Sequence, residues 1–121
     1  MISQRAAHLI PAVHPKTPEW AERTINLDRA GELLAHIAEI GRVPLLADGT
    51  DHLVVRVVQR LHAGLGEESI VFVPSVAAVD VRRVNDAKNA EPGLMTAKRA
   101  AELAALLVTA AELAAQVGSG R

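Results

Sequence analysis

The feature that most constrains this chain is its C-terminal run from Leu94 to Val117, which contains neither proline nor glycine and consists almost entirely of strong helix formers. It predicts a helix about 36 Å long, since each residue of an α-helix adds 1.5 Å. A Pro-Gly pair precedes the run and Gly118 follows it, so both ends are marked.

The polar residues of this run include Arg99, and on a helical wheel five others form one narrow stripe: Lys98, Glu102, Thr109, Glu112 and Gln116. The remaining surface is apolar, whereas a helix on a small domain normally needs an apolar stripe only about 100° wide. We therefore expect the helix to be covered on more than one side. Five of its apolar residues step by three and four, as in coiled coils, and form the predicted interface: Leu103, Leu106, Ala110, Leu113 and Val117.

A second helix is predicted from Asn26 to Ile40. Asn26 is a favourable N-cap, and Gly41 is a residue of the kind that ends helices. Apolar residues recur at helical spacing between them: Leu27, Ala30, Leu33, Leu34, Ile37 and Ile40. Gly31 inside this helix would cost about 1 kcal/mol relative to alanine, which indicates a close crossing with another element.

The middle of the chain favours a small sheet from residue 43 to about 84. Apolar runs at 43–47, 53–58 and 70–73 are separated by turn-forming residues, and the second run contains four valines. The first turn is predicted at Asp48-Gly49, and 62–68 is interpreted as a loop. The alternative is helical, with helices at 51–62 and 76–88.

The predicted fold class is therefore α+β: a small antiparallel sheet packed by a helix in the N-terminal half and by the long alanine-rich C-terminal helix. An all-α bundle of four to five helices is the alternative. Residues 1–24, with three prolines at short intervals, are interpreted as an irregular N-terminal arm. Residues 25–117 are interpreted as a single globular domain and 118–121 as a disordered tail.

Composition narrows the classes of function. The chain has no cysteine, which excludes disulfides, thiolate metal sites and a thiol nucleophile. A formal net charge of −1 disfavours a protein that neutralises many phosphates. Neither a secretory signal nor a membrane span is predicted, so we expect a cytoplasmic protein. The abundance of alanine, and of arginine over lysine, resembles that of small accessory proteins of GC-rich bacteria and their phages.

Trp20 is the only tryptophan, in a chain with no tyrosine. Tryptophan is favoured at the centres of interfaces, so Trp20 joins the predicted interface residues. The favoured interpretation is that it closes one end of the core from the N-terminal arm.

Nucleic-acid binding is an alternative function that needs helices at 51–62 and 76–88. Their basic residues would then share one face in a helix-turn-helix arrangement: Arg56, Arg60, Arg82, Arg83 and Lys88. The even charge balance favours solvated, partly paired side chains instead.

The densest polar cluster is the segment at 48–52, Asp-Gly-Thr-Asp-His. Two carboxylates and an imidazole suit a divalent cation or proton transfer, which is the basis of a metal-dependent enzyme alternative. Turn and capping roles explain the same residues, and no nucleophile or phosphate-loop motif occurs. No enzymatic activity and no cofactor are predicted. The favoured hypothesis is a non-enzymatic protein that binds another protein, or itself as a homodimer, through the C-terminal helix.

Overall fold

A computed structural model describes residues 15–45, 51–66, 70–85 and 95–119. The elements in these ranges are β1 (Arg23–Asn26), β2 (Leu33–Pro44), β3 (Asp51–Leu65), β4 (Ile70–Pro74), β5 (Ala78–Asn85) and α1 (Ala97–Ser119). The protein is mixed α+β with antiparallel strand pairs, as predicted, and the all-helical alternative is wrong.

The strand order is β1-β2-β3-β4, and β5 also pairs with β3. Contacts divide the described residues into two units. The first unit comprises 15–37, 59–66 and 70–76, and the second comprises 38–45, 51–58, 77–85 and 95–119. Both β2 and β3 have residues in each unit.

In the first unit, β1 and β2 form a hairpin in a region where the sequence predicts a helix at 26–40. The register runs from Arg23 opposite Ile37 to Asn26 opposite Leu34. The Asp28 carboxylate accepts hydrogen bonds from the backbone N–H groups of Glu32 and Leu33, at 2.9 and 3.3 Å. Gly31 has a φ of 71°, which suits a residue without a Cβ. The predicted helix is therefore wrong, and Gly31 is a turn residue.

The sequence of β2 resembles a helix because this strand is buried on both faces. Five consecutive residues of this strand are buried: Leu34, Ala35, His36, Ile37 and Ala38. A strand covered on both faces has no alternation of apolar and polar residues, and a continuous apolar run also satisfies the helical template.

The strand interpretation of 53–58 is confirmed, because this run lies in β3. Val54, Val55 and Val57 are buried in the second unit, as expected for β-branched side chains in a sheet. The alternative helix at 51–62 is wrong. The loop at 62–68 is wrong for residues 62–65, which continue β3 and pair with β4 in the first unit.

The remaining strands lie beside β3. The predicted strand at 70–73 is confirmed as β4. The alternative helix at 76–88 is wrong over Ala78–Asn85, which is β5 and pairs with β3 from Asp51 to Val58. The first predicted strand, at 43–47, is described only to residue 45, where 43 and 44 end β2. The predicted turn at Asp48-Gly49 lies outside the described residues.

The C-terminal helix is confirmed as α1. The Thr96 hydroxyl accepts a hydrogen bond from the N–H of Arg99 at 3.2 Å and caps the helix. The helix continues to Ser119, two residues into the predicted tail. In the predicted arm, residues 15–22 form no regular element, and β1 begins at Arg23.

Candidate interaction surface

One face of α1 packs on the sheet of the second unit. The helix contacts β5, and Leu106 lies directly over the backbone of β2 at Gly41. A Cβ added to Gly41 would lie 2.6 Å from Leu106 Cδ2, so a larger residue at this position would require the end of the Leu106 side chain to shift. Ala110, one turn further along, is completely buried.

This packed face carries the residues predicted from the sequence as an interface. Besides the buried Ala110, its members are only partly buried: Leu103, Leu106, Leu113 and Val117. At Leu106 and Ala110, therefore, the predicted interface stripe covers the protein's own sheet.

A second apolar stripe of α1 is exposed. We call it the alanine seam, and its members are Ala97, Ala101, Ala104, Val108, Ala111 and Ala115. All six residues are exposed, and Val108 shows 58% of its surface. They step by four and three along the helix, which is the repeat of a coiled-coil seam. The same repeat is present in the sequence, but the leucines of the other face offer more apolar area than alanines do, so the sequence favoured that face.

The alanine seam is flanked on one side by the polar stripe of α1. Lys98 and Glu112 are exposed, and the described residues contain no ion pair involving either of them. Arg99 and Glu102 pair with each other at 2.9 Å. The exposed surface of the helix is thus apolar at the seam and carries one charge of each sign along its flank.

The helix also has the length and composition of a membrane span between Ala97 and Gly118. Only 6% of the most apolar 18-residue stretch of this segment is buried inside the protein, whereas the helix of a protein core is mostly buried. Glu102 and Glu112 both lie well inside the segment. A carboxylate costs up to about 2.5–3.5 kcal/mol on insertion scales, the most at the bilayer centre, so two glutamates within this segment disfavour a spanning arrangement.

Trp20, the remaining predicted interface residue, is half-buried in the first unit. Its ring meets the buried His36 ring edge to face, with 6.2 Å between ring centroids. His36 Nδ1 lies 2.6 Å from the Thr24 hydroxyl, which in turn lies 2.8 Å from the hydroxyl of Thr17. Trp20 thus packs over a hydrogen-bonded histidine, a position consistent with the core-closing interpretation.

The basic residues of the nucleic-acid alternative have different environments. Arg56 pairs with Asp80 at 2.7 Å and Arg83 with Asp51 at 2.8 Å, both within the second unit. Arg60 and Arg82 are exposed, and Lys88 lies outside the described residues. Because 51–62 and 78–85 are strands, the helix-turn-helix arrangement on which this alternative depends is absent from those residues.

Asp51 is the only carboxylate of the 48–52 cluster within the described residues. It is 8% exposed, and both of its oxygens accept hydrogen bonds from Arg83. These hydrogen bonds hold the pKa of Asp51 below its ordinary value, against the opposing effect of partial burial. The described residues contain no group of three or more histidine, aspartate or glutamate side chains placed to hold a metal ion. Asp51 therefore acts here as an ion-pair partner.

Comparisons of the chain with protein-family models, with curated proteins and with solved structures found no match.

Proposed function

We propose that this protein is a non-catalytic interaction module that binds a protein partner through the alanine seam of α1. The observation that carries the proposal is the burial pattern of the helix. Ala110 is its one buried residue in the described part of the chain, while the six residues of the seam are exposed. Covering this surface removes apolar area from water, which is the main favourable contribution to protein association.

The composition of the seam favours another helix as the binding element. Five of its six residues are alanine, whose small side chain lets a second backbone approach closely. The seam also carries no charge that a partner would have to desolvate. A helix with small residues at coiled-coil spacing fits such a surface better than a large, rigid aromatic anchor does.

Site-specific photo-cross-linking in cells tests this proposal. A photoreactive phenylalanine analogue placed at Val108 should give a discrete covalent adduct. The same analogue at Val76, which is 83% exposed on the connection between β4 and β5, provides the matched control and should give none.

Two results would contradict the proposal. One is the absence of a protein adduct at position 108 under conditions where the labelled protein is folded. The other is flotation of the purified protein with phosphatidylcholine–phosphatidylglycerol vesicles that is lost on Val108→Glu, since the seam would then bind lipid.

A further inference from the structure

We infer that the partner is a second copy of this chain, bound antiparallel through the alanine seam. This inference rests on the proposed function and adds the identity and orientation of the partner. It follows from two properties of α1. The alanine seam is complementary to a second copy of itself in the opposite direction, and residues of opposite charge lie at equivalent positions beside the seam.

The alanine seams of two antiparallel copies fit each other in every layer of the pair. When two copies run in opposite directions, Ala97 faces the partner's Ala115 and Ala101 faces the partner's Ala111. Ala104 then faces the partner's Val108, so the largest residue of the seam meets a small one. Each of these layers combines the two alternating positions of the coiled-coil repeat, as antiparallel packing requires. The contact is the same from both sides, which is the condition for a closed dimer.

The charges determine the direction. Lys98 directly follows Ala97 and Glu112 directly follows Ala111, so both lie at the same flank position of the seam. In an antiparallel pair this flank meets its own counterpart, which brings Lys98 close to the partner's Glu112, twice by symmetry. In a parallel pair it meets the opposite flank, whose residues are uncharged: Ala100, Leu107 and Ala114. Only the antiparallel pair therefore gains ion pairs across the interface.

Lys98 and Glu112 are also suited to this role by what surrounds them. Both are exposed, and within the described residues the nearby Arg99 and Glu102 form their own ion pair. Pairing with a second copy therefore requires no break of an ion pair described inside the chain.

Disulfide trapping tests the orientation on a clean background, because the chain has no cysteine. The full-length variants Ala101→Cys and Ala111→Cys are purified separately, one with a mass tag, then mixed and oxidised. We expect the mixed disulfide to exceed either self-disulfide roughly tenfold, since only residues that face each other satisfy disulfide geometry. A predominant self-disulfide of Ala101→Cys would indicate a parallel pair and overturn the inference.

Charge exchange tests the contacts themselves. By sedimentation equilibrium, Lys98→Glu and Glu112→Lys should each raise the dimer Kd roughly 2- to 30-fold, since each variant breaks two ion pairs. The double variant, with the charges exchanged, should return the Kd to the wild-type range. Circular dichroism of each variant reports whether α1 is intact. Single variants with intact helices and a wild-type Kd would overturn the antiparallel arrangement.

Failure of this inference can be told apart from failure of the proposed function. A purified chain that stays monomeric at millimolar concentration, together with a cross-link from position 108 to a different protein, overturns the second-copy partner and leaves the interaction module standing. A monomeric chain with no cross-link at position 108 overturns both.

Discussion

The ion pair between Asp51 and Arg83 is the polar contact that most clearly ties β3 to β5. Arg83 Nε and Nη2 donate to the two carboxylate oxygens at 2.9 and 2.8 Å, so the guanidinium and the carboxylate form a bidentate ion pair. Because this contact favours the charged carboxylate, the pKa of Asp51 lies below the value of about 3.9 for aspartate in an unfolded chain.

The lowered pKa predicts a pH dependence of stability. The contribution of Asp51 is fully present above its unfolded pKa and is lost as the pH falls through its folded pKa. Asp51→Asn should therefore unfold at lower urea concentration than wild type at pH 7, and the difference should shrink as the pH falls below about 4. As a control, Glu39→Gln removes a carboxylate paired with the exposed Arg42 and should have a smaller effect at pH 7. A difference that does not change between pH 7 and pH 2 would contradict this assignment.

Three glycines are expected to respond differently to alanine. Gly41→Ala places a methyl group against the Cδ atoms of Leu106, whose side chain must shift, and should cost about 0.5–1.5 kcal/mol, partly relieved in the double variant with Leu106→Ala. A Cβ at position 31 would meet no atom within 4 Å, but the backbone there has a positive φ. Gly31→Ala should therefore lower the free energy of unfolding by about 1–2 kcal/mol. Gly118 lies in α1 with open space around it and no positive φ. Because alanine favours helices more than glycine does, Gly118→Ala should raise the free energy of unfolding by up to about 1 kcal/mol. Denaturant unfolding measures all three, and equal effects at Gly41 and Gly118 would contradict the packing of α1 described above.

At the scale of the element, α1 has two apolar faces with different tasks. Leu106→Glu introduces a charge where the helix packs on Gly41, and it should lower the free energy of unfolding by about 2–4 kcal/mol. Val108→Glu places the same charge on the exposed seam, so it should leave stability within about 0.5 kcal/mol of wild type while abolishing association. Urea unfolding and sedimentation of both variants test this separation. If Val108→Glu unfolds the monomer, the seam belongs to the internal core instead.

Across the whole molecule, hydrogen exchange should follow burial. The central residues of β2 and β3 include the most buried side chains and should exchange slowest, whereas β1 and β4 contain no buried residue and should exchange faster. The amides of α1 should become better protected as protein concentration rises, because association covers the seam. Exchange of α1 that is independent of concentration from micromolar to millimolar would argue against self-association.

Much of the architecture could be predicted from the sequence, and the largest failure has a physical cause. The C-terminal helix was recognisable from composition, because a long run without proline or glycine and rich in alanine has few alternatives. The core of β3 was recognisable from four valines in six positions, since β-branched side chains favour strands. The strand Leu33–Pro44 was not, because its first half is buried on both faces over residues 34–38 and lacks the alternation that distinguishes a strand.

For the candidate surface, too, the sequence determined one part and the tertiary structure decided the other. The sequence by itself determined that α1 has apolar residues on more than one side, at coiled-coil spacing, beside a narrow polar stripe. Only the tertiary structure decided which side is occupied: Leu106 packs against β2 at Gly41 and Ala110 is buried, while the alanine seam is exposed. The physical reason is that periodicity depends on residues close together in the chain. The choice between two apolar faces depends on the shape of a surface built by residues far apart in sequence.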